Sequence, residues 1–139
     1  MLDRFLTFPM QTVSVACAVL QDTDGRLLLA KRPPGKSLAG FWEFPGGKIE
    51  AHENAQTALV RELREELLLE TKVLEVLEAV HHDYADFSIY LIPCRVRLLS
   101  GTPIPMEHSE IAWFNPGDID LTTLAPADVP VLHQLLGKQ

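Results

Sequence analysis

Between Gly46 and Glu66 the chain reads Gly46-Gly47, then Glu53 after five residues, then Arg61-Glu62-Leu63-Arg64-Glu65-Glu66 after seven more. This stretch constrains the fold more than any other, because it fixes one helix and loads it with charge. Asn54 is a good N-cap, its side-chain oxygen able to accept from an orphan N–H of the first turn. Ala55, Ala58, Leu59, Leu63 and Leu67 then recur at helical spacing and give an apolar face. The other side is carboxylate: Glu62 and Glu66 are i,i+4 neighbours and Glu65 lies three residues from Glu62. Each like-charge pair at that spacing costs roughly 0.2–0.5 kcal/mol, so something positive should offset it. Two readings are open, a solvated face with Arg61 and Arg64 as partners, or a cluster of hard oxygen ligands for a cation such as Mg²⁺. The glycines just upstream, where backbone can approach closely, favour the second.

A chain of 139 residues has room for one domain with a single sizeable core, and an apolar fraction of 47% excludes disorder. Residues 1–9 show no clear period and read as an N-terminal extension to a domain spanning 10–139. Neither a secretory leader nor a membrane-length apolar run is present, which predicts a cytoplasmic protein without a membrane partner. Cys17 and Cys94 lie in apolar, strand-like stretches and are expected to be buried free thiols. The formal charge of −7 argues against a nucleic-acid partner. Its distribution is uneven: Arg26, Lys31, Arg32, Lys36 and Lys48 stand against only Glu43 between residues 26 and 48. A local basic patch therefore faces an acidic helix.

The pattern Gly47-x5-Glu53-x7-Arg61-Glu62-Leu63-x-Glu65-Glu66 resembles the signature box of the Nudix hydrolases. The flanks Ala30-Lys31-Arg32, Trp42-Glu43-Phe44-Pro45 and Leu124-Ala125-Pro126-Ala127-Asp128 are similar to the MutT-type and CTP-pyrophosphohydrolase branch, so the likeness runs along nearly the whole chain from about Met10. It departs at Leu68, where the family pattern has a glycine in the left-handed conformation that ends the helix. Leucine is penalised there, so the helix is expected to run on or to exit differently.

The resemblance implies an α/β/α sandwich with a mixed sheet, one central catalytic helix and a C-terminal helix. It makes Glu62, Glu65 and Glu66, with the carbonyl of Gly46, the set for Mg²⁺, with Mn²⁺ as the alternative, and Glu53 the partner that orients Arg61. Glu107, six residues before Trp113, matches a further carboxylate that MutT-type proteins carry on a flexible loop, as ligand or base; Glu110 is its reserve. Arg32 and Lys48 would hold phosphate oxygens, and Asp128 would either read the base or merely cap the last helix. The implied reaction converts a nucleoside triphosphate to the monophosphate and pyrophosphate. The leading substrate is 8-oxo-dGTP, in sanitation of the nucleotide pool, and the runner-up is a pyrimidine triphosphate. A catalytically silent nucleotide sensor is the reading of another class, and the oligomeric state is not legible.

In chain order, residues 12–21 and 26–32 read as two strands forming a hairpin across Asp22-Thr23-Asp24-Gly25. Short strands follow at 41–44 and 47–50, then the helix, then two long strands at 71–82 and 87–99 joined near Tyr84-Ala85. A proline-bearing loop, a strand at 110–114 and a closing helix at 129–136, with Asp128 as a candidate N-cap, complete the pattern.

Overall fold

In the computed structural model, which describes residues 11–137, the apolar run at the start of the domain becomes β1 (Thr12–Leu20), the spine of the molecule. Its side chains alternate between two cores. Ala16, Ala18 and Leu20 face one cluster with Leu59, Leu63 and Leu67, whereas Cys17 and Val19 face another with Val131 and Leu132. A strand covered on both faces must be apolar at successive positions, which is why residues 16–20 show no hydrophobic alternation while residues 12–15 still do. The N-terminal extension and the domain's start at residue 10 lie outside the described residues.

β1 pairs in parallel with β7 (Ser88–Ser100) and antiparallel with β4 (Gly46–Lys48). β5 (Glu70–Val76) and β6 (Val80–Asp83) both run antiparallel to β7, completing a five-stranded mixed sheet. A second, antiparallel sheet has the order β3 (Trp42–Glu43), β2 (Leu27–Lys31), β8 (Glu110–Phe114). Helix α1 (Ala55–Leu67) covers one face and α2 (Val129–Leu135) contributes to the core on the other, so the α/β sandwich with a mixed sheet holds.

Two strand expectations are corrected. β1 and β2 do not form a hairpin ladder; they diverge into different sheets and keep one bridge, Gln21 to Leu27. The turn chemistry of Asp22 and Gly25 is present, but β1 has better partners in β4 and β7. The strand expected over 71–82 is two, β5 and β6, separated at residues 77–79 and laid along successive parts of β7.

Helix α1 begins as the sequence suggests. Asn54 Oδ1 accepts from Thr57 N–H at 2.8 Å, and Thr57 Oγ1 accepts from Asn54 N–H at 3.2 Å, a reciprocal cap. Its end corrects the expectation about Leu68. The helix neither runs on nor leaves by another route: Leu68 itself takes the left-handed conformation, φ 57° and ψ 38°, and its N–H still reaches the Arg64 carbonyl at 3.2 Å. Leu69, completely buried in the α1 core, holds the chain in that exit. Replacing Leu68 by glycine should relieve roughly 1–2 kcal/mol of steric strain, offset in part by about 0.4–1 kcal/mol from the freer unfolded chain. The expected result is a Tm raised by a few degrees in a thermal melt with turnover within about twofold of wild type; a fall in Tm would show that Leu68 carries no strain.

Candidate active site

The carboxylate helix is set against β4 by Arg61. Its guanidinium donates from Nε to Glu53 Oε2 at 2.6 Å and from Nη2 to Glu53 Oε1 at 2.7 Å, a bidentate pair. From the same group, Nη2 reaches the Lys48 carbonyl at 3.2 Å and Nη1 reaches Glu62 Oε1 at 2.9 Å. One side chain thus joins the loop, the strand and the helix. The Arg61 guanidinium holds the Glu53 carboxyl down at about 2, and Glu53 also accepts from Glu50 N–H at 3.0 Å.

The acidic residues then divide. Glu62 and Glu66 face a cavity of about 330 Å³ whose lining also includes Glu107, Gly46, Arg32 and Lys48. Glu65 is not on that lining; its side chain is 60% exposed and pairs with Arg61 Nη1 at 3.4 Å. Glu66 is the anomalous group. Burial first, and then the adjacent Glu62 and Glu107 carboxyls, push its pKa up to about 9. Crowding hard oxygen donors until one must hold a proton is what a site built around a cation does without one. The side chains as they stand do not form a finished cage: among the described residues no group of three or more His, Cys, Asp or Glu is spaced to hold an ion. The donor chemistry nevertheless fits a hard divalent cation.

Gly47 is required by this arrangement. A Cβ there would lie 2.3 Å from Glu62 Cδ, so the glycine makes the space in which that carboxylate sits. The loop carrying Glu107 is anchored rather than loose: Ile104 N–H donates to the Leu67 carbonyl and Met106 N–H to the Glu66 carbonyl, each at 3.0 Å. The orphan carbonyls at the end of α1 thereby find their donors. Glu110 is exposed at the start of β8, paired across from Lys31, and is not on the cavity lining.

A second cavity of about 490 Å³ shares Arg32, Lys36, Glu43 and Lys48 with the first and is otherwise largely apolar, with Val15, Phe44, Tyr84, Phe87 and Leu91 in its wall together with Asp128. Of the five cations in the basic stretch, three line the cavities. Arg26 is bound to Asp22 at 2.7 Å, and Lys31 Nζ lies 5.8 Å from the Trp42 ring centroid. Arg32 is held by the Ser37 carbonyl at 2.6 Å and by Glu43 at 3.4 Å. Trp42 is half-buried, edge-on to Phe114 and packed against the core, whereas Tyr84 and Phe87, 5.1 Å apart, present aromatic surface to the cavity. Tyr84 is fixed there by accepting from Ala127 N–H at 3.0 Å.

Asp128 does not cap α2: its side chain makes no cap hydrogen bond. Its Oδ2 instead accepts from Phe44 N–H at 2.7 Å across the cavity wall, in an almost fully buried position. Burial, and then the nearby Glu43 carboxylate, raise its pKa well above the ordinary aspartate value. Glu43 and His108 were missed by the sequence reading. The signal for Glu43 was a charged residue inside the apolar run Trp42-Glu43-Phe44; nothing local marked His108.

Comparisons with known proteins agree with this geometry. The NUDIX domain family model matches residues 16–134. The chain is 39% identical over 127 residues to the CTP pyrophosphohydrolase of Escherichia coli K12, covering 91% of this chain and 93% of that protein. It is 30% identical over 126 residues to the 8-oxo-dGTP diphosphatase of Haemophilus influenzae, covering 91% and 93%. Among solved structures, that of the E. coli ORF135 protein superposes with a TM-score of 0.76 at 37% identity, covering 92% of this chain and 91% of the other. The chain belongs to the Nudix family, as a hydrolase of MutT type that acts on phosphoric anhydride bonds. Nudix hydrolases generally use divalent metal ions.

Proposed function

We propose that this chain hydrolyses nucleoside triphosphates to the monophosphate and pyrophosphate, with 8-oxo-dGTP as the leading substrate, in sanitation of the cytoplasmic nucleotide pool. The observation that carries the reading is the continuity of the two cavities: carboxylates line one, aromatic and aliphatic groups line the other, and Arg32, Lys36 and Lys48 stand between them. A molecule with a planar ring, a polyphosphate and bound cations matches that sequence of surfaces. A pyrimidine triphosphate is the second reading, favoured by the relative that bears the name CTP pyrophosphohydrolase.

Glu62 and Glu66 with the Gly46 carbonyl would hold Mg²⁺, or Mn²⁺ in its place, and Glu65 would act from outside the cavity. The bound cation supplies Lewis acidity toward the phosphates and lowers the pKa of water. Arg61 and Glu53 hold the helix in register with β4, so that its carboxylates and the β4 backbone line the same cavity. Arg32 and Lys48 bind phosphate oxygens and offset the charge developing on them. Glu107 takes the proton from water in this reading. Glu62 is engaged by Arg61 Nη1 at 2.9 Å, whereas Glu107 has no ion pair among the described residues.

The base is read beside Asp128. With its pKa raised, the carboxyl can carry a hydrogen on the oxygen that Phe44 leaves free, so it both accepts and donates, as an amide would. Asp128→Asn should therefore keep the ratio of kcat/KM for 8-oxo-dGTP over CTP within about threefold; a buried hydrogen bond of the wrong sense would shift it by about ten- to a hundredfold. The sign of the stability change is also fixed. A carboxyl with a raised folded pKa is penalised as pH climbs above the unfolded value of about 3.9, and asparagine removes that penalty. The variant should match wild type near pH 4 and exceed it in denaturant melts at pH 8. A tenfold change in the base ratio would show that an ionised Asp128 reads the base.

Hydrolysis of a panel of canonical and oxidised triphosphates with Mg²⁺, with products separated, tests the whole reading. Monophosphate and pyrophosphate from 8-oxo-dGTP above all others is the expected outcome; a preference for CTP or dCTP selects the second reading.

A further inference from the structure

We infer that His108 is a positioning residue: by clasping Glu43 it sets the Glu107 carboxylate over the acidic cavity. The inference rests on the role given above to Glu107. His108 Nε2 lies 3.0 Å from Glu43 Oε2, and the imidazole is only 6% exposed although it belongs to a surface loop. The tautomer with hydrogen on Nε2 makes this contact a donation to the carboxylate.

The backbone on both sides is already tied down. Met106 N–H is held by the Glu66 carbonyl at 3.0 Å, and Ser109 N–H by the Lys31 carbonyl at 3.1 Å. The freedom that remains is rotation of the two-residue span between those anchors. A side chain at 108 locked inward removes that freedom and so fixes where residue 107 points. Glu43 is a firm anchor, being 18% exposed and paired on its other oxygen with Arg32 Nη1 at 3.4 Å.

The chemistry of the contact argues against simple space filling. His108 Nδ1 is buried with no hydrogen-bond partner among the described residues, a cost that an aliphatic side chain would avoid. A ring retained despite that cost is there for what Nε2 does. Nothing in this role requires the imidazole to exchange a proton, and Arg32 has a second anchor that does not involve His108, its 2.6 Å bond to the Ser37 carbonyl. Loss of the clasp should therefore act on the chemical step more than on substrate binding.

The test is a double-mutant cycle on the full chain with Mg²⁺ and a triphosphate substrate. His108→Phe removes the donor and keeps the ring volume. His108→Asn keeps polarity, but its shorter side chain falls short of Glu43. His108→Gln offers an amide N–H at similar reach. Both His108→Phe and His108→Asn should lower kcat by about ten- to a hundredfold with KM within about threefold, and His108→Gln should recover most of the loss. In a Glu107→Gln background the same His108 changes should cost no more than about twofold, because the group they position is already gone. Equal fold-losses in both backgrounds, or a glutamine variant no better than asparagine, would overturn the inference; His108→Asn and His108→Gln carry the cycle if the phenylalanine variant does not fold. The cycle also separates two failures. A fully active Glu107→Gln removes the role of Glu107 and His108's positioning with it, whereas an impaired Glu107→Gln with additive losses removes only the part given to His108.

Discussion

Glu66→Gln should reduce turnover by on the order of 10³-fold, about 4 kcal/mol in activation free energy, while leaving the protein folded and more stable without metal. Both halves come from one observation. Glu66 is partly buried between Glu62 and Glu107, and its pKa is pushed up to about 9. For a carboxyl raised in the folded state, the penalty is absent below the unfolded value of about 4.3 and grows as pH rises from there toward 9. Glutamine is neutral throughout, so metal-free Glu66→Gln should melt above metal-free wild type at pH 7–8 and match it near pH 4. Millimolar Mg²⁺ should raise the Tm of wild type and barely move that of the variant. Melts with and without the cation, run beside steady-state rates, check both. A variant that turned over normally would remove Glu66 from the site.

Gly46→Ala should carry the largest stability cost of any single methyl group added to the box. A Cβ at Gly46 would lie 1.9 Å from the Ala16 carbonyl oxygen and 2.7 Å from Cys17 Cα, both backbone atoms of β1, where no side-chain rotation can make room. The strand that presents the Gly46 carbonyl would have to part from β1, costing about 3 kcal/mol or more and lowering Tm by about 10 °C. Gly47→Ala is the control. Its Cβ meets the end of the Glu62 side chain, which can swing aside, so that variant should stay folded and lose activity through a displaced carboxylate. If Gly46→Ala melted like wild type, the close approach of β4 to β1 would be wrong.

These two glycines also show how far the sequence could be read. Helix α1, its Asn54 cap, its buried face and its carboxylates were legible because the helical period and the cap depend on residues close together in the chain. The mixed sheet was legible from the order of strands and helices. The separation of β1 from β2 was not, because strand partners are chosen by long-range packing that a local turn signal does not report. Leu68 misled for a related reason: its φ of 57° is unfavourable by itself and is imposed by the burial of Leu69. Asp128 looked equally like a cap or a base reader from its place before α2, and only the approach of Phe44 N–H, 84 residues away in sequence, decides against the cap. Glu43 and His108 belong to the same class. They meet across 65 residues, and neither position alone predicts the other.

The division of labour in the cavities also explains a sequence-level puzzle, an acidic protein reading as a binder of polyanions. The net charge of −7 is spread over the whole molecule, while Arg32, Lys36 and Lys48 gather where the two cavities meet. Local charge at the point of contact would govern a polyphosphate in the proposed site, and screening over about 8–10 Å at physiological ionic strength reduces the influence of distant carboxylates.

In the proposed reaction water attacks within the polyphosphate so as to release pyrophosphate, at a site made by the carboxylates of α1. The most direct measurement is product analysis of 8-oxo-dGTP hydrolysis in ¹⁸O-labelled water, with Mg²⁺ or with excess chelator. The expected products are 8-oxo-dGMP and pyrophosphate in equal amounts, with one labelled oxygen per turnover and no reaction under chelation. Diphosphate with inorganic phosphate as products, or undiminished turnover in chelator, would contradict it.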